Sequence, residues 1–331
     1  MSNLKLGLSL FCFTKEYSTG KYSFEDCVRV AAQNGAAGYE IVGAQMLPEY
    51  PRVSDEFLGL VNSCKAKYGI GPVSYGANQD RGKLPERDLT DDELLALTIL
   101  DLKAAHKLGC KQMRVQYMMG PAVFERLAPY AEMFDVKCGI EIHNPDTPTS
   151  PRILEYVEVI RRSGSKHLGF VLDFGCFATR PNKPMWDEAL AAGVDEKYLK
   201  MAAEMRYNNV PQEEAMRKLF EEEGAPMAMM RAFQGMYGFV QFRKEFDAGD
   251  LKFILPYTLY CHGKFHYLDE NDREASIPYE EILPIIAGSD FDGYLIGEYE
   301  DELNCGGTDF SRQFIRMAKR VAKIDESDSL K

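Results

Sequence analysis

The heptapeptide Gly139-Ile140-Glu141-Ile142-His143-Asn144-Pro145 sets a carboxylate and an imidazole two residues apart at the end of an apolar run. In an extended strand successive side chains point to opposite faces, so Glu141 and His143 share one face while Ile140 and Ile142 back the other. Asn144-Pro145 then stops the strand. A carboxylate beside an imidazole at the carboxyl end of a buried strand suits metal ligation or proton transfer. The same pair also occurs at loop mouths without any chemistry, so other strand ends must decide between the two.

Three further apolar runs end in a comparable way: LGFVLD closes on Asp173, YCHGKFH carries His262, Lys264 and His266, and GYLIGEYE carries Glu298 and Glu300. Oxygen donors with one imidazole suit Mn²⁺ or Mg²⁺ better than Zn²⁺, and an ion so held keeps positions open for two vicinal oxygens of a sugar-like substrate. Asp173 suits the cap of the following turn equally well, and Glu300 competes with Glu298 because both lie on one face. His262 and His266 have the spacing of a helical metal pair, but no Glu follows His262 and the surrounding sequence is strand-like, which argues against a zincin-type motif. Arg114 and Gln116 share a face of the fourth strand. With Lys264 and His266 they are candidates for substrate contact, or for ordinary packing and salt bridges inside the fold. His106 and His167 fall in helix and loop patterns and read as structural.

Alternating strands and helices must position these residues. Strands are expected at 4–13, 38–43, 71–78, 111–118, 139–143, 168–173, 254–261 and 293–298. Ser23, Ser54, Thr90 and Ser150 open helical patterns that stop at Gly35, Gly69, Gly109 and Gly164, and Pro121 opens another. Eight such units with short connections specify parallel strands joined by right-handed crossovers. The fold class expected is α/β, a (β/α)8 TIM barrel forming a single domain over 1–331. A helical insertion after strand six, at about 181–250, breaks the rhythm. A doubly wound sheet is disfavoured, because no GxGxxG or GxxxxGK[ST] turn follows an early strand.

Composition narrows the function classes. The 331-residue chain is 45% hydrophobic and 27% charged, ordinary for a globular protein, and its formal charge of −12 without any Lys/Arg run argues against nucleic acid. Eight cysteines lie scattered without a CxxC pair and read as reduced and mostly buried. The first residues alternate like a strand and lack the features of a signal peptide, and no window approaches the ~18–20 apolar residues of a membrane span. The expected location is the cytoplasm, and the acidic stretch 325–331 is expected to fray.

On these motifs the chain resembles the xylose-isomerase-like family of metal-dependent barrels, which includes sugar epimerases, inosose dehydratases and the endonuclease IV type. GYEIVG, GIEIHNP, VLDFG, YCHGK and GYLIGEYE carry the likeness, which spans most of the chain but not the insertion. It implies Glu141, Asp173, His262 and Glu298 as ligands of Mn²⁺ (or Mg²⁺). Within that family the chain is most similar to the large (α) subunits of C-glycoside deglycosidases, which pair with a small β-rich subunit. That similarity implies a 3-oxo-C-glucoside of a flavonoid or similar phenolic as substrate. His143 would remove the proton on sugar carbon 2, giving a metal-stabilised enediolate whose collapse expels the aglycone from carbon 1, a lyase reaction. The alternative is a ketose 3-epimerase or sugar isomerase with the same ligands. Those enzymes usually carry a His three residues after the strand-six Asp, where this chain has Cys176. Eight of the fifteen methionines fall in the insertion, a soft apolar surface suited to a flat aglycone, to a partner subunit or to a small core of its own.

Overall fold

The computed structural model describes residues 3–300 and 306–324. Eight strands, β1 (Lys5–Ser9), β2 (Tyr39–Val42), β3 (Pro72–Gly76), β4 (Gln112–Val115), β5 (Lys137–Ile142), β6 (Leu168–Asp173), β7 (Thr258–Phe265) and β8 (Tyr294–Tyr299), pair in parallel in chain order, and β8 closes on β1. Helices α1 (Phe24–Gln33), α2 (Asp55–Tyr68), α3 (Asp91–Leu108), α4 (Pro121–Phe134) and α5 (Pro151–Ser163) connect the first six strands. Four longer ones, α6 (Lys183–Ala191), α7 (Glu196–Tyr207), α8 (Met230–Tyr237) and α9 (Ala248–Ile254), lie between β6 and β7 together with a single helical turn at Gln212–Met216; α10 (Tyr279–Ala287) and α11 (Gly307–Ala322) complete the ring. The fold is a (β/α)8 barrel.

Local chemistry explains the element ends. Ser23 with Asp26 and Thr90 with Glu93 each form a reciprocal cap that satisfies two free backbone donors at the starts of α1 and α3. Gly109 ends α3 in the left-handed conformation, at φ 81°, which glycine adopts without a Cβ clash.

Inside the barrel the inward positions change character along each strand. Val171, Tyr260 and Ile296 form a small apolar cluster of their own, and two residues further on the same faces present Asp173, His262 and Glu298. Packing fills the amino-terminal half, and polar groups occupy the carboxyl-terminal half.

Three strands differ from the sequence reading by more than two residues at one or both ends, the others by two at most. β1 stops at Ser9, whose hydroxyl accepts from the Phe11 amide and starts a 3-10 turn (Leu10–Phe13); the apolar pattern continues because that turn is buried as well. β4 stops at Val115, so Gln116 lies beyond the strand. β7 starts at Thr258 and runs to Phe265, because residues 248–254 are helical, capped by Asp247, and a short turn containing Pro256 precedes the strand. His262 and Lys264 are therefore both inside β7.

The seven described cysteines are buried free thiols. Cys305 and the 325–331 stretch lie outside the described residues. Of the methionines between β6 and β7, Met205, Met229 and Met236 are buried, while Met216 and Met227 are exposed. Phe220 and Tyr237 pack against Phe233, and the buried residues of these helices are continuous with the main hydrophobic core.

Asp101 on α3 is buried and accepts hydrogen bonds from Tyr75 (3.0 Å) and Tyr50 (3.2 Å). Burial pushes its carboxyl up to about 6, and the two hydroxyl donors offset only part of that rise. The folded-state value is raised, so stability from this group is full below the ordinary carboxylate value of ~3.9 and is lost as pH rises toward about 6. A rise of about two units corresponds to ~3 kcal/mol. Asp101→Asn is expected to remove this dependence. In urea unfolding between about pH 4 and pH 7 the variant should gain on the native protein by that order across the window. A pH-independent difference between the two would refute it.

Candidate active site

The carboxyl-terminal ends of β5 to β8 converge. One donor atom from each of Glu141, Asp173, His262 and Glu298 lies within 4.8 Å of the others, and all four residues are buried. His262 Nδ1 is 3.0 Å from Glu141 Oε1 and 3.5 Å from Glu298 Oε2. Strand register sets the pairing, since Asp173 on β6 stands opposite His262 on β7. Asp173 also caps the turn after β6, as its Oδ1 accepts from the Gly175 amide at 2.6 Å. Its Oδ2 points elsewhere, so both roles considered for this residue are compatible.

His143 lies just past β5. Its Nδ1 is 2.8 Å from the Asn144 carbonyl, which can only accept, so Nδ1 carries the proton and Nε2 keeps its lone pair. Asn144 is held in turn by donating to the Gly175 and Gln241 carbonyls at 2.8 and 3.0 Å. His143 Nε2 lies 2.8 Å from Lys264 Nζ and 3.8 Å from Asp173 Oδ2. Tyr117 stacks on the imidazole, with ring centroids 5.7 Å apart, and Phe239 meets it edge-on at 5.9 Å.

The four candidate substrate contacts occupy different settings. Arg114 on β4 pairs with Glu141 at 3.2 Å and lines the cavity above the cluster. Gln116 also lines it, but exchanges hydrogen bonds with Gln79, side chain to backbone in both directions. His266 reaches the cavity with Nδ1 2.8 Å from the Glu300 carbonyl. Lys264 is fully enclosed, and its ammonium bridges Asp173 Oδ2 (2.7 Å) and Glu300 Oε1 (3.1 Å).

Sequence reasoning passed over Glu40. This β2 residue is completely buried and faces His262 Nε2 at 3.1 Å. The signal was present, because a glutamate in the apolar run Gly38-Tyr39-Glu40-Ile41-Val42 must be buried on the barrel side and matched by donors there.

The electrostatics favour a cation. Five carboxylates (Glu40, Glu141, Asp173, Glu298, Glu300) gather around two permanent cations, Arg114 and Lys264. Burial raises the Glu298 carboxyl to about 8, the Glu300 charge adding to a rise that His262 and Lys264 offset only in part. Burial acts against the charged form of Glu141 too, but Arg114 and His262 outweigh it and hold that group below the usual carboxylate range. His262 is pulled well above its ordinary value by Glu298 and Glu40 despite burial, so the ring takes positive charge where nothing else supplies it. Oxygen-rich donors, one imidazole and an excess of negative charge fit a divalent ion.

Glu141 and Glu298 of the cluster, with His143 and Glu300, line a cavity of about 1170 Å³. Phe11, Tyr117, Tyr267 and Phe310 line it from the barrel side, and Pro184, Met185, Arg231 and Phe239 from the segment between β6 and β7. Cys176 is buried, and burial pushes its thiol well up.

The chain is thus a closed parallel (β/α)8 barrel with a buried carboxylate–imidazole cluster able to hold a cation. Solved sugar epimerases share this fold. The 3-keto-D-glucoside 4-epimerase of E. coli superposes with a TM-score of 0.52 at 11% identity over 95% of this chain and 98% of its own. The D-allulose 3-epimerase of Methylomonas sp. gives 0.56 at 14% identity over 97% and 99%. No protein-family model matches the chain.

Sequence relatives are more specific. The 3'-dehydrocarminate deglycosidase alpha subunit of Microbacterium sp. is 33% identical over 312 residues, 89% of this chain and 88% of that protein. The C-glycoside deglycosidase alpha subunit of Arthrobacter globiformis is 30% identical over 308 residues, 90% and 85% respectively. The chain belongs to the family of C-glycoside deglycosidase alpha subunits.

Proposed function

We propose that the chain is the catalytic subunit of a divalent-metal-dependent lyase that cleaves the carbon–carbon glycosidic bond of 3-oxo-C-glucosides. The observation that carries this reading is the unprotonated Nε2 of His143 beside the Glu141/Asp173/His262/Glu298 cluster, on a cavity with room for a sugar and an aromatic ring system. These four residues would hold Mn²⁺ or Mg²⁺, and when bound the ion supplies Lewis-acid polarisation of the ketone and neutralises charge developing on its oxygen.

His143 Nε2 takes the proton from carbon 2, which the neighbouring 3-keto group makes acidic. The electron pair moves onto the ketone oxygen to give an enediolate. Its return forms the carbon 1–carbon 2 double bond and breaks the bond from carbon 1 to the aglycone, whose carbon takes up a proton. The Asn144 carbonyl keeps Nδ1–H in place throughout, so the ring presents the same nitrogen at each turnover. Asp173, 3.8 Å from Nε2, offsets the charge of the imidazolium once it forms. Lys264 donates to Nε2 in the resting site and must yield that position to the substrate's C–H bond.

Tyr117, Phe239 and Met185 offer apolar faces for the aglycone, and Arg114 and His266 offer donors to the sugar hydroxyls. The relatives' designation as alpha subunits supports a small β subunit as partner in a hetero-oligomer. Free buried thiols accord with a reducing compartment such as the cytoplasm. Among the described residues no helix is long and apolar enough to cross a membrane.

The test is to co-express the chain with its genomic neighbours and follow aglycone release from a 3-oxo-C-glucoside, with and without chelator, alongside epimerisation of free ketoses. Chelator-sensitive aglycone release is the expected result. Epimerised ketose without aglycone release would reject the assignment.

A further inference from the structure

Glu40 enters no step of the proposed reaction, yet side chains of Ser9, Ser74, Tyr260 and His262 all converge on its carboxylate. Its Oε2 accepts from the Tyr260 hydroxyl (2.8 Å) and the Ser74 hydroxyl (3.0 Å), and its Oε1 from the Ser9 hydroxyl (3.1 Å). Donors from β1, β3 and β7 therefore hold one carboxylate of β2. The backbone makes room as well: a Cβ on Gly76 would stand 3.2 Å from the Arg114 guanidinium and 3.7 Å from Glu40 Oε1. A buried carboxylate is costly unless it is hydrogen-bonded and paired with positive charge.

What it faces is His262. Glu40 Oε2 lies 3.1 Å from Nε2, while the opposite ring nitrogen, Nδ1, lies 3.0 Å from Glu141 Oε1 and 3.5 Å from Glu298 Oε2. Every group surrounding His262 at these contacts is a carboxylate, so the ring's two nitrogens are distinguished by which carboxylates also converge on the candidate cation site. Glu141 and Glu298 do; Glu40, behind the ring, is not among the four residues whose donor atoms gather there. A proton on Nε2 satisfies Glu40 and leaves the Nδ1 lone pair aimed at the cluster. The reverse tautomer would set a lone pair against Glu40 and a proton in the cation's place.

We propose that Glu40 is a positioning residue that fixes His262 as the Nε2–H tautomer, orients the ring and makes Nδ1 a better donor to the cation. A carboxylate bound to the far nitrogen of a ligating imidazole does this by withdrawing the proton's charge and locking ring rotation. The inference rests on the reading of the Glu141/Asp173/His262/Glu298 cluster as a metal site.

The probe is Mn²⁺ titrated into the metal-stripped full-length chain, with free Mn²⁺ followed by electron paramagnetic resonance and the metal-free melting temperature measured in parallel. Glu40→Gln keeps the shape and removes the charge. It is expected to weaken Mn²⁺ binding by about 10-fold to 100-fold; metal-free melting, which falls with the loss of the buried Glu40–His262 pair, shows whether the variant is folded at the titration temperature. Tyr260→Phe removes one of the donors holding Glu40 and should weaken binding in the same direction by less; it decides the matter if Glu40→Gln does not fold. Native chain that binds Mn²⁺, with both folded variants binding it as tightly, overturns this inference alone. Native chain that binds no Mn²⁺ overturns the metal-site reading and this inference together.

Discussion

Replacing His143 by alanine is expected to lower aglycone release by about 10²-fold to 10⁴-fold, the usual contribution of a positioned general base. Mn²⁺ binding should survive, because the four converging donors belong to other side chains. The effect belongs in kcat more than in KM, since in the proposed reaction the imidazole would act on the proton in flight while Arg114 and the aromatic residues of the cavity would remain to bind substrate. Exchange of the carbon 2 proton with deuterium from solvent should disappear along with turnover, because both follow from one abstraction. A His143→Ala variant with metal bound and near-normal turnover would remove His143 from the mechanism. The Asn144 carbonyl gives the prediction its specificity, as it leaves only Nε2 free to act.

Lys264→Met is expected to destabilise the metal-free protein by about 3–5 kcal/mol, the cost of leaving buried carboxylates without their cation. Asp173 and Glu300 both depend on this ammonium, at 2.7 and 3.1 Å, and Lys264 itself is only 2% exposed. Methionine keeps most of the length and apolar stem, so the change reports mainly on charge. Adding Mn²⁺ should stabilise the variant more than the native chain, because the cluster then lacks one competing positive charge and binding to the folded state raises stability by mass action. Urea unfolding of both proteins with and without Mn²⁺ measures this. Equal stability of the two metal-free proteins would mean that the bridge to Asp173 and Glu300 contributes nothing.

The role of Lys264 also shows where sequence reading reached its end. The residue stood out as a possible substrate contact from its place two beyond His262. In the fold that spacing puts it on the inward face of β7, one layer above His262, with its ammonium already engaged by two carboxylates and by His143. Gln116 changed in a similar way, since β4 ends before it and Gln79 occupies its amide oxygen and backbone.

Much was legible without coordinates. The eightfold alternation is written in caps, stop glycines and apolar periodicity, all of which act over a few residues, and alternation with short connections leaves few topologies besides a closed parallel barrel. Placing Glu141, Asp173, His262 and Glu298 at strand ends needed only the period-2 geometry of strands and the rule that such barrels present chemistry at their carboxyl ends. What the tertiary structure alone decided is who touches whom across the barrel. Glu40 and His262 are 222 positions apart and Lys264 and His143 are 121 apart, so these contacts follow from strand register and closure rather than from any local pattern. The choice of nitrogen on each imidazole belongs to the same level. It depends on a carbonyl beside His143 and on a carboxylate behind His262, and only the closed barrel brings that carboxylate to the ring.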